Sequence, residues 1–228
     1  MNRQGNTYTF IYAVVLVVIV AALLAVVSLW LQPQQNENVE NEKRRNILSA
    51  VKIEASAETS KELFDKYIIE QFAVNSKGEK ITGDAFRTDM AQEFKKSCEE
   101  RLLPVFVAQT DNGVKYILPL YGTGLWGPLW GYLSLDEDKN TVYGAVFAHK
   151  GETPGLGAEI TTAPFSDQFV GKTIFDNEQL ISILIKKGGN ASGPHEVDAI
   201  SGGTITSKGV EAMIRSYLSC YESFLKQK

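Results

Sequence analysis

The sequence has few of the residues that build metal centres or nucleic-acid interfaces. Its 228 residues include two histidines and two cysteines, and 23 basic side chains stand against 27 acidic ones, for a net charge of −4. With no C-x-x-C pair and no H-x-x-x-H spacing, it predicts neither an iron–sulfur cluster nor a zinc site, and so no metal. The acidic balance leaves no basic surface for a phosphate backbone, which argues against nucleic acid as a partner.

The two cysteines, Cys98 and Cys220, are too few to form a disulfide framework that would hold a domain of this size together. They lie 122 positions apart, and the sequence gives no geometry that would bring them together. We therefore favour two separate, partly buried thiols and leave a disulfide open as the alternative.

The common nucleotide fingerprints and hydrolase residue sets are also missing. Neither G-x-x-x-x-G-K-[ST] nor G-x-G-x-x-G occurs, so the chain itself is not expected to bind NADH or a free nucleotide. No Ser–His–Asp or Cys–His arrangement is recognisable, and hydrolase chemistry therefore has no support.

Charge is almost absent from the first 31 residues, where Arg3 is the one charged side chain. The 22 residues from Phe10 to Leu31 carry none, and as a helix they would cross a hydrocarbon core of ~30 Å. A cleaved signal peptide is the alternative, but its apolar region usually has about 7 to 15 residues, and no A-x-A-like site follows Leu31. We predict an N-terminal tail over residues 1–9 and one retained transmembrane helix over residues 10–31, in contact with membrane lipid.

The orientation of this helix does not follow from its flanking charges. Arg3 precedes it, whereas Lys43, Arg44 and Arg45 follow it, and large domains translocate largely regardless of their charge. The span contains no carboxylate, so nothing in it is expected to coordinate a transported cation.

The remaining residues predict a polar stalk over residues 32–46 and one α+β domain over residues 47–228. Two β-rich pairs, Leu102–Gln109 with Val114–Leu120 and Leu129–Leu135 with Thr141–Ala148, are separated by turn residues and predict hairpins of an antiparallel sheet. A further strand is predicted over Leu180–Lys187. Apolar residues at three-and-four spacing predict helices that pack on the sheet, a short one around residues 63–68 and a long one from Val210 to Leu225.

Two glycines and four hydroxyl residues precede the long helix, in the segment from Ser201 to Ser207. Glycines permit a close backbone approach, and the first turn of a helix offers unpaired N–H groups to a phosphate. The alternative is purely structural: Thr206 or Ser207 caps the helix, and the glycines form the turn that leads into it.

This segment resembles the flavinylation motif of FMN-binding domains, a match carried by Ser201-Gly202-Gly203-Thr204-Ile205-Thr206-Ser207 with Asp198 before it. The resemblance implies that the hydroxyl of Thr204 is joined by a phosphoester to FMN, a bond made by a separate flavin transferase from FAD. It also implies cofactor contacts from the residues beside Thr204: Ser201, Gly202, Gly203, Ile205 and Thr206. Members of the family usually have alanine where this chain has Gly203, and the loss of one methyl group is expected to be tolerated.

A second block, His149 to Ile160, is similar to the other flavin-contacting loop of that family. Its glycines and Pro154 predict an exposed loop with free backbone N–H groups, suited to the polar edge of an isoalloxazine ring. The cofactor-binding residues implied here are Glu152, Thr153, Gly155, Leu156 and Gly157.

A third block, Tyr121 to Tyr132, resembles the C subunit of Na+-translocating NADH:quinone reductases. This resemblance extends over nearly the whole chain. It implies an inner-membrane protein with a periplasmic domain that relays electrons through FMN, while other subunits bind NADH and quinone and the complex exports Na+. Two alternatives remain: the G subunit of the homologous ion-translocating ferredoxin:NAD oxidoreductase, and a non-redox, membrane-anchored binding domain.

Two further residues have open roles. Trp126 could cover a face of the flavin, although large aromatic residues in a sheet are usually part of the core, and the core is the favoured interpretation. Asp198 could support attachment by orienting the threonine hydroxyl, or could be an ordinary turn aspartate.

Overall fold

The computed structural model describes residues 6–227, except for the side chain of residue 7. Helix α1, Asn6–Ala50, includes the apolar run and the whole predicted stalk, with Pro33 inside it. Within the described residues it is the one helix long and apolar enough to cross a membrane. The chain divides into two compact units, the first ending at Lys43 and the second beginning at Arg44, three residues before the predicted domain boundary.

The second unit is built on a six-stranded antiparallel sheet with the strand order β2-β1-β3-β4-β5-β6. Its strands are β1 Ile68–Val74, β2 Lys80–Ile81, β3 Leu103–Thr110, β4 Gly113–Thr123, β5 Pro128–Leu135 and β6 Val142–His149. Both predicted hairpins are confirmed, as β3 with β4 and β5 with β6. Gly113 has a φ of 91° in the first hairpin turn, a conformation that favours glycine.

Helices cover both faces of this sheet. The long helix α5, Thr204–Leu225, buries the predicted apolar stripe, including Val210, Ile214 and Tyr217, against one face. The other face packs against the last turn of α1 and against α2, Ser60–Tyr67, through Ile47, Leu48 and Phe64. Two one-turn helices, α3 Met90–Glu93 and α4 Ala163–Ser166, complete the α-helices of the described chain, which also contains three short 3-10 helices. The α+β architecture is the predicted one.

The strand predicted over Leu180–Lys187 is wrong. The chain there forms β8, Gln179–Leu180, which pairs with β7, Phe175–Asp176, and then β9, Leu184–Lys186, which pairs in parallel with β10, Glu196–Asp198. Ser182 separates β8 from β9 with a φ of 69°, and the N–H groups of Ile181 and Ser182 both donate to the carbonyl oxygen of Ile174. Ile183 and Ile185, which follow this bend, are buried in the core, whereas Ile181 before it is half-buried.

The interpretation of Cys98 and Cys220 as separate thiols is also wrong, because they form a disulfide with their Cα atoms 5.5 Å apart. Cys98 begins a short 3-10 turn after α3, and Cys220 lies on the buried face of α5. The neighbouring Arg101 stacks over the rings of Phe94 and Tyr217, and so the whole segment before β3 is held against α5.

We expect this disulfide to contribute strongly to stability, because it closes a loop with a sequence separation of 122 residues. Replacement of Cys98 by serine should lower the free energy of unfolding by about 2–5 kcal/mol. Urea unfolding of the wild type under oxidising and reducing conditions provides the control, since the reduced wild type should unfold at the same concentration as oxidised Cys98→Ser. Equal midpoints for the oxidised and reduced wild type would contradict the prediction.

Candidate functional site

Three segments of the second unit meet at a cleft of about 270 Å³. The turn between β4 and β5 contributes Leu125 and Trp126, and the loop after β6 contributes Glu152, Thr153, Leu156 and Gly157. The chain at the start of α5 contributes Gly202 to Thr206. The two segments singled out by the sequence therefore face each other. Most predicted site residues line the cleft: Trp126, Glu152, Thr153, Leu156, Gly157, Gly202, Gly203, Thr204, Ile205 and Thr206. Ser201, Gly155 and Asp198 lie outside this lining, and Leu125 is a lining residue that the sequence interpretation does not include.

The start of α5 is not capped by a side chain. The N-cap residue is Gly203, and Thr204 is the first helical residue. Within the described chain, the backbone N–H groups of Thr204, Ile205 and Thr206 have no acceptor from the protein. Three unpaired donors and the positive end of a 22-residue helix thus lie in the turn that begins with Thr204.

The interpretation of Thr206 or Ser207 as a simple helix cap is wrong. The Ser207 hydroxyl accepts the N–H of Ile200, 3.0 Å away, and so fixes the chain that enters the helix. The buried Thr206 hydroxyl donates to Glu152. Both hydroxyls therefore join α5 to other segments and leave its first N–H groups available.

The glycines before α5 are required by their surroundings. Gly202 has a φ of 74°, in the left-handed region. A Cβ atom at Gly203 would lie 3.0 Å from Cγ2 of Ile200 and 3.1 Å from the carbonyl oxygen of Leu156. The alanine usual in the family would therefore require its neighbours to shift by a few tenths of an ångström, and glycine fits the positions that Ile200 and Leu156 have in this chain.

The loop after β6 has fewer free backbone N–H groups than its glycines suggest, because most of them bond within the loop. The N–H of Gly155 donates to the carboxylate of Glu159, and those of Leu156 and Ala158 donate to the carbonyl oxygen of Thr153. Between residues 152 and 159, only the N–H groups of Thr153 and Gly157 have no acceptor in the described protein. Because both residues line the cleft, the loop presents two donors there and uses the rest to keep its own shape.

Glu152 joins all three segments. Its carboxylate accepts the backbone N–H of Trp126 through Oε1 at 2.8 Å and the hydroxyl of Thr206 through Oε2 at 2.6 Å, while its own N–H donates to Nδ1 of His149 at 3.1 Å. Only 4% of this residue is exposed. It is the one charged side chain in the cleft lining.

The rim of the cleft is apolar and exposed. The exposed fractions are 68% for Trp126, 61% for Ile205, 48% for Leu125 and 43% for Leu156. The favoured interpretation of Trp126 as a core residue is therefore wrong, whereas its role toward a flavin stays a prediction. The carboxylate of Asp198 accepts the N–H of Ala191 at 2.9 Å, and its role in attachment likewise stays a prediction.

The described residues contain no group of three or more histidine, cysteine or acidic side chains that could hold a metal ion. Residues 124–219, which include all three segments of the cleft, match the family of the FMN-binding domain.

The chain also resembles individual proteins over almost its whole length. It is 32% identical to the C subunit of the Na(+)-translocating NADH-quinone reductase of Pseudomonas aeruginosa, with 95% of this chain and 93% of the relative covered. The chain belongs to the family of these C subunits. The corresponding protein of Vibrio anguillarum is 31% identical, with 92% of this chain and 89% of the relative covered.

Solved structures of the family share the fold. The crystal structure of the C subunit from Parabacteroides distasonis has a TM-score of 0.82 and 47% identity, and the alignment covers 87% of this chain and 98% of that one. The structure of NqrC from Shewanella oneidensis has a TM-score of 0.71 and 28% identity, with 82% and 96% covered. The fold is therefore a family feature.

Gly157 and Gly151 provide a matched test of the packing around Glu152. A Cβ atom at Gly157 would lie 2.6 Å from Oε2 of Glu152 and even closer to the Thr206 hydroxyl, whereas a Cβ at Gly151 would meet nothing within 4 Å. We expect Gly157→Ala to lower the free energy of unfolding by about 1–3 kcal/mol through overpacking. Gly151→Ala should stay within about 0.5 kcal/mol of the wild type in the same urea titration. A Gly157→Ala protein as stable as Gly151→Ala would show that the cleft wall is looser than described.

Proposed function

We propose that this chain is the covalent flavoprotein subunit of a Na+-translocating NADH:quinone reductase, with FMN attached to Thr204 through a phosphoester. The observation that carries the proposal is the position of the Thr204 hydroxyl, beside unpaired backbone N–H groups at the start of α5 and opposite the loop after β6. Membership of the family of C subunits and the match to the FMN-binding domain support the same cofactor.

The residues of the cleft fit the two ends of FMN. A phosphoester at Thr204 would meet the N–H groups of Ile205 and Thr206 and the positive end of the helix dipole, which together favour an anion. The exposed apolar rim of Leu125, Trp126, Leu156 and Ile205 fits an aromatic ring system, and the N–H groups of Thr153 and Gly157 fit polar atoms at its edge.

Attachment requires one exchange at phosphorus. Oγ1 of Thr204 would form the new P–O bond as the pyrophosphate bond of FAD is broken, AMP would leave, and the hydroxyl proton would pass to solvent. A flavin transferase would perform this exchange. Thr204 is half-buried at the mouth of the cleft and is therefore accessible to such an enzyme.

After attachment, the protein has to position the cofactor and adjust its surroundings. FMN supplies reversible electron transfer, and the tether prevents its loss. Leu125, Trp126, Leu156 and Ile205 would exclude water from the apolar part of the cofactor, while the donors at the start of α5 hold its phosphate. The chain would relay electrons between cofactors of neighbouring subunits, which would bind NADH and quinone, while the complex exports Na+.

We further propose that the chain crosses the inner membrane once and carries the FMN-binding domain on the periplasmic side. The apolar part of α1 supports a single span. The disulfide between Cys98 and Cys220 supports the periplasmic side, because disulfides form and persist in the oxidising periplasm and are rare in the reducing cytosol.

The attachment residue can be tested on a denaturing gel. After coexpression with the flavin transferase, the wild-type chain should give a fluorescent flavin band that survives denaturation, and Thr204→Ala should abolish it because the only esterified oxygen is removed. Thr123→Ala, which removes an exposed hydroxyl at the end of β4, should keep the band. A colourless wild-type band, or a fluorescent Thr204→Ala band, would refute the covalent link at Thr204.

The orientation can be tested with reporters fused to the C-terminus. Alkaline phosphatase, which needs disulfides, should be active in this fusion, and a fluorescent protein that matures only in the cytosol should stay dark. Fusions after residue 9, before the span, serve as controls and should give the opposite pattern. An inactive phosphatase together with a bright fluorescent fusion at the C-terminus would place the domain in the cytosol.

A further inference from the structure

We propose that Glu152 is a positioning residue, which holds the β4–β5 turn against the start of α5 and so keeps the cleft open before any cofactor is attached. We call its two hydrogen bonds, to the Trp126 N–H and the Thr206 hydroxyl, the Glu152 clasp. The inference deepens the proposed function, because the cleft it organises is the proposed flavin site.

The clasp connects parts of the chain that are distant in sequence. Trp126 precedes Glu152 by 26 residues, and Thr206 follows it by 54. The turn around Trp126 has one local brace, the hydrogen bond from the Gly124 N–H to the Gly127 carbonyl oxygen at 2.8 Å. That bond fixes the shape of the turn, whereas the Oε1 contact of Glu152 determines where the turn lies relative to α5.

Glycines leave just enough space for the carboxylate group of Glu152. A Cβ at Gly124 would lie 2.5 Å from Oε1 and 2.9 Å from Cδ2 of Leu129, and a Cβ at Gly157 would collide with Oε2. Two glycines from different segments therefore pack directly against the two oxygens. No side chain larger than hydrogen at either position leaves the clasp undisturbed.

The carboxylate of Glu152 accepts one backbone N–H and one hydroxyl, and no basic side chain lines the cleft. Its Oε2 reaches Thr206 in the first turn of α5, where the positive end of the helix dipole favours a carboxylate. Hydrogen bonds to a charged acceptor are among the stronger ones in proteins. The carboxylate is therefore suited to hold the exposed Trp126 in place with few other contacts.

Substitutions can distinguish the two hydrogen bonds of Glu152 from its negative charge. In Glu152→Gln, the amide oxygen can accept the Trp126 N–H, and the amide nitrogen can donate to Oγ1 of Thr206, which accepts as well as donates. In Glu152→Ala both bonds are lost. In Thr206→Val the carboxylate keeps the Trp126 N–H and loses its link to α5.

The test is amide hydrogen exchange of the full-length chain in detergent, measured in the flavin-free Thr204→Ala background. With Glu152→Ala, peptides covering residues 123–127 should exchange roughly 10-fold faster or more, as expected from the loss of a hydrogen bond to a charged group. Thr206→Val should accelerate the same peptides, and Glu152→Gln should restore nearly wild-type protection. Exchange in the core strand β3 should stay unchanged, which separates a local release from general destabilisation.

Glu159→Ala is the matched control, because Glu159 is an acid of the same loop whose carboxylate accepts the N–H of Gly155, a bond within the loop itself. It should leave residues 123–127 protected. Unchanged protection of this turn in both Glu152→Ala and Thr206→Val would overturn the proposal, as would a Glu152→Gln protein that exchanges as fast as Glu152→Ala. If Glu152→Ala fails to fold, the comparison of Thr206→Val with Glu152→Gln decides: the proposal requires faster exchange of residues 123–127 in the first variant and nearly wild-type exchange in the second.

The denaturing gel with the wild-type chain tests covalent attachment at Thr204 separately from the Glu152 clasp. A flavin band together with an unaffected turn in the variants would overturn the clasp alone. A missing flavin band together with a released turn would overturn covalent attachment and leave the clasp as a structural brace.

Discussion

The close packing of α5 on β4 is the contact on which the rest of the second unit depends. Glycines make it possible from both sides: a Cβ at Gly122 of β4 would lie 2.8 Å from Cβ of Met213, and a Cβ at Gly209 of α5 would lie 2.6 Å from the carbonyl oxygen of Thr123. Because the helix lies this close to the end of β4, its first turn reaches the β4–β5 turn, and the cleft forms between them.

The sequence predicts those parts of the fold that depend on local patterns. Alternating strands joined by turn residues predict both hairpins, and the three-and-four spacing from Val210 to Leu225 predicts α5 and its buried stripe. Where a long-range contact overrides the local pattern, the prediction fails. The alternating isoleucines around residues 181–185 indicate one strand, but the bend at Ser182 interrupts it, and only Ile185 of the three lies in a strand, β9. The disulfide is not predicted for the same reason, since 122 residues separate two cysteines that only the packing of α5 brings together.

The sequence predicts which segments form the candidate site, but it does not predict the contacts that their residues make. Motif resemblance alone brings the loop after β6 and the start of α5 together, and the cleft contains both. The contributions of individual residues do not follow from the motifs. Glu152, predicted as a cofactor ligand, uses both carboxylate oxygens within the protein, and most N–H groups of its loop are likewise bonded internally. Trp126 is exposed, although its residue type favours the core, because its turn extends beyond the sheet.

The disulfide has a topological consequence. The covalent loop that it closes runs from Cys98 to Cys220 and contains the β4–β5 turn, the loop after β6 and Thr204. A protease that cuts once within this loop, for example among the glycines of residues 187–195, would leave both fragments covalently joined. Thr204 and the walls of the cleft would then remain parts of a single molecule, so one cut in the backbone would not separate the segments that form the cleft.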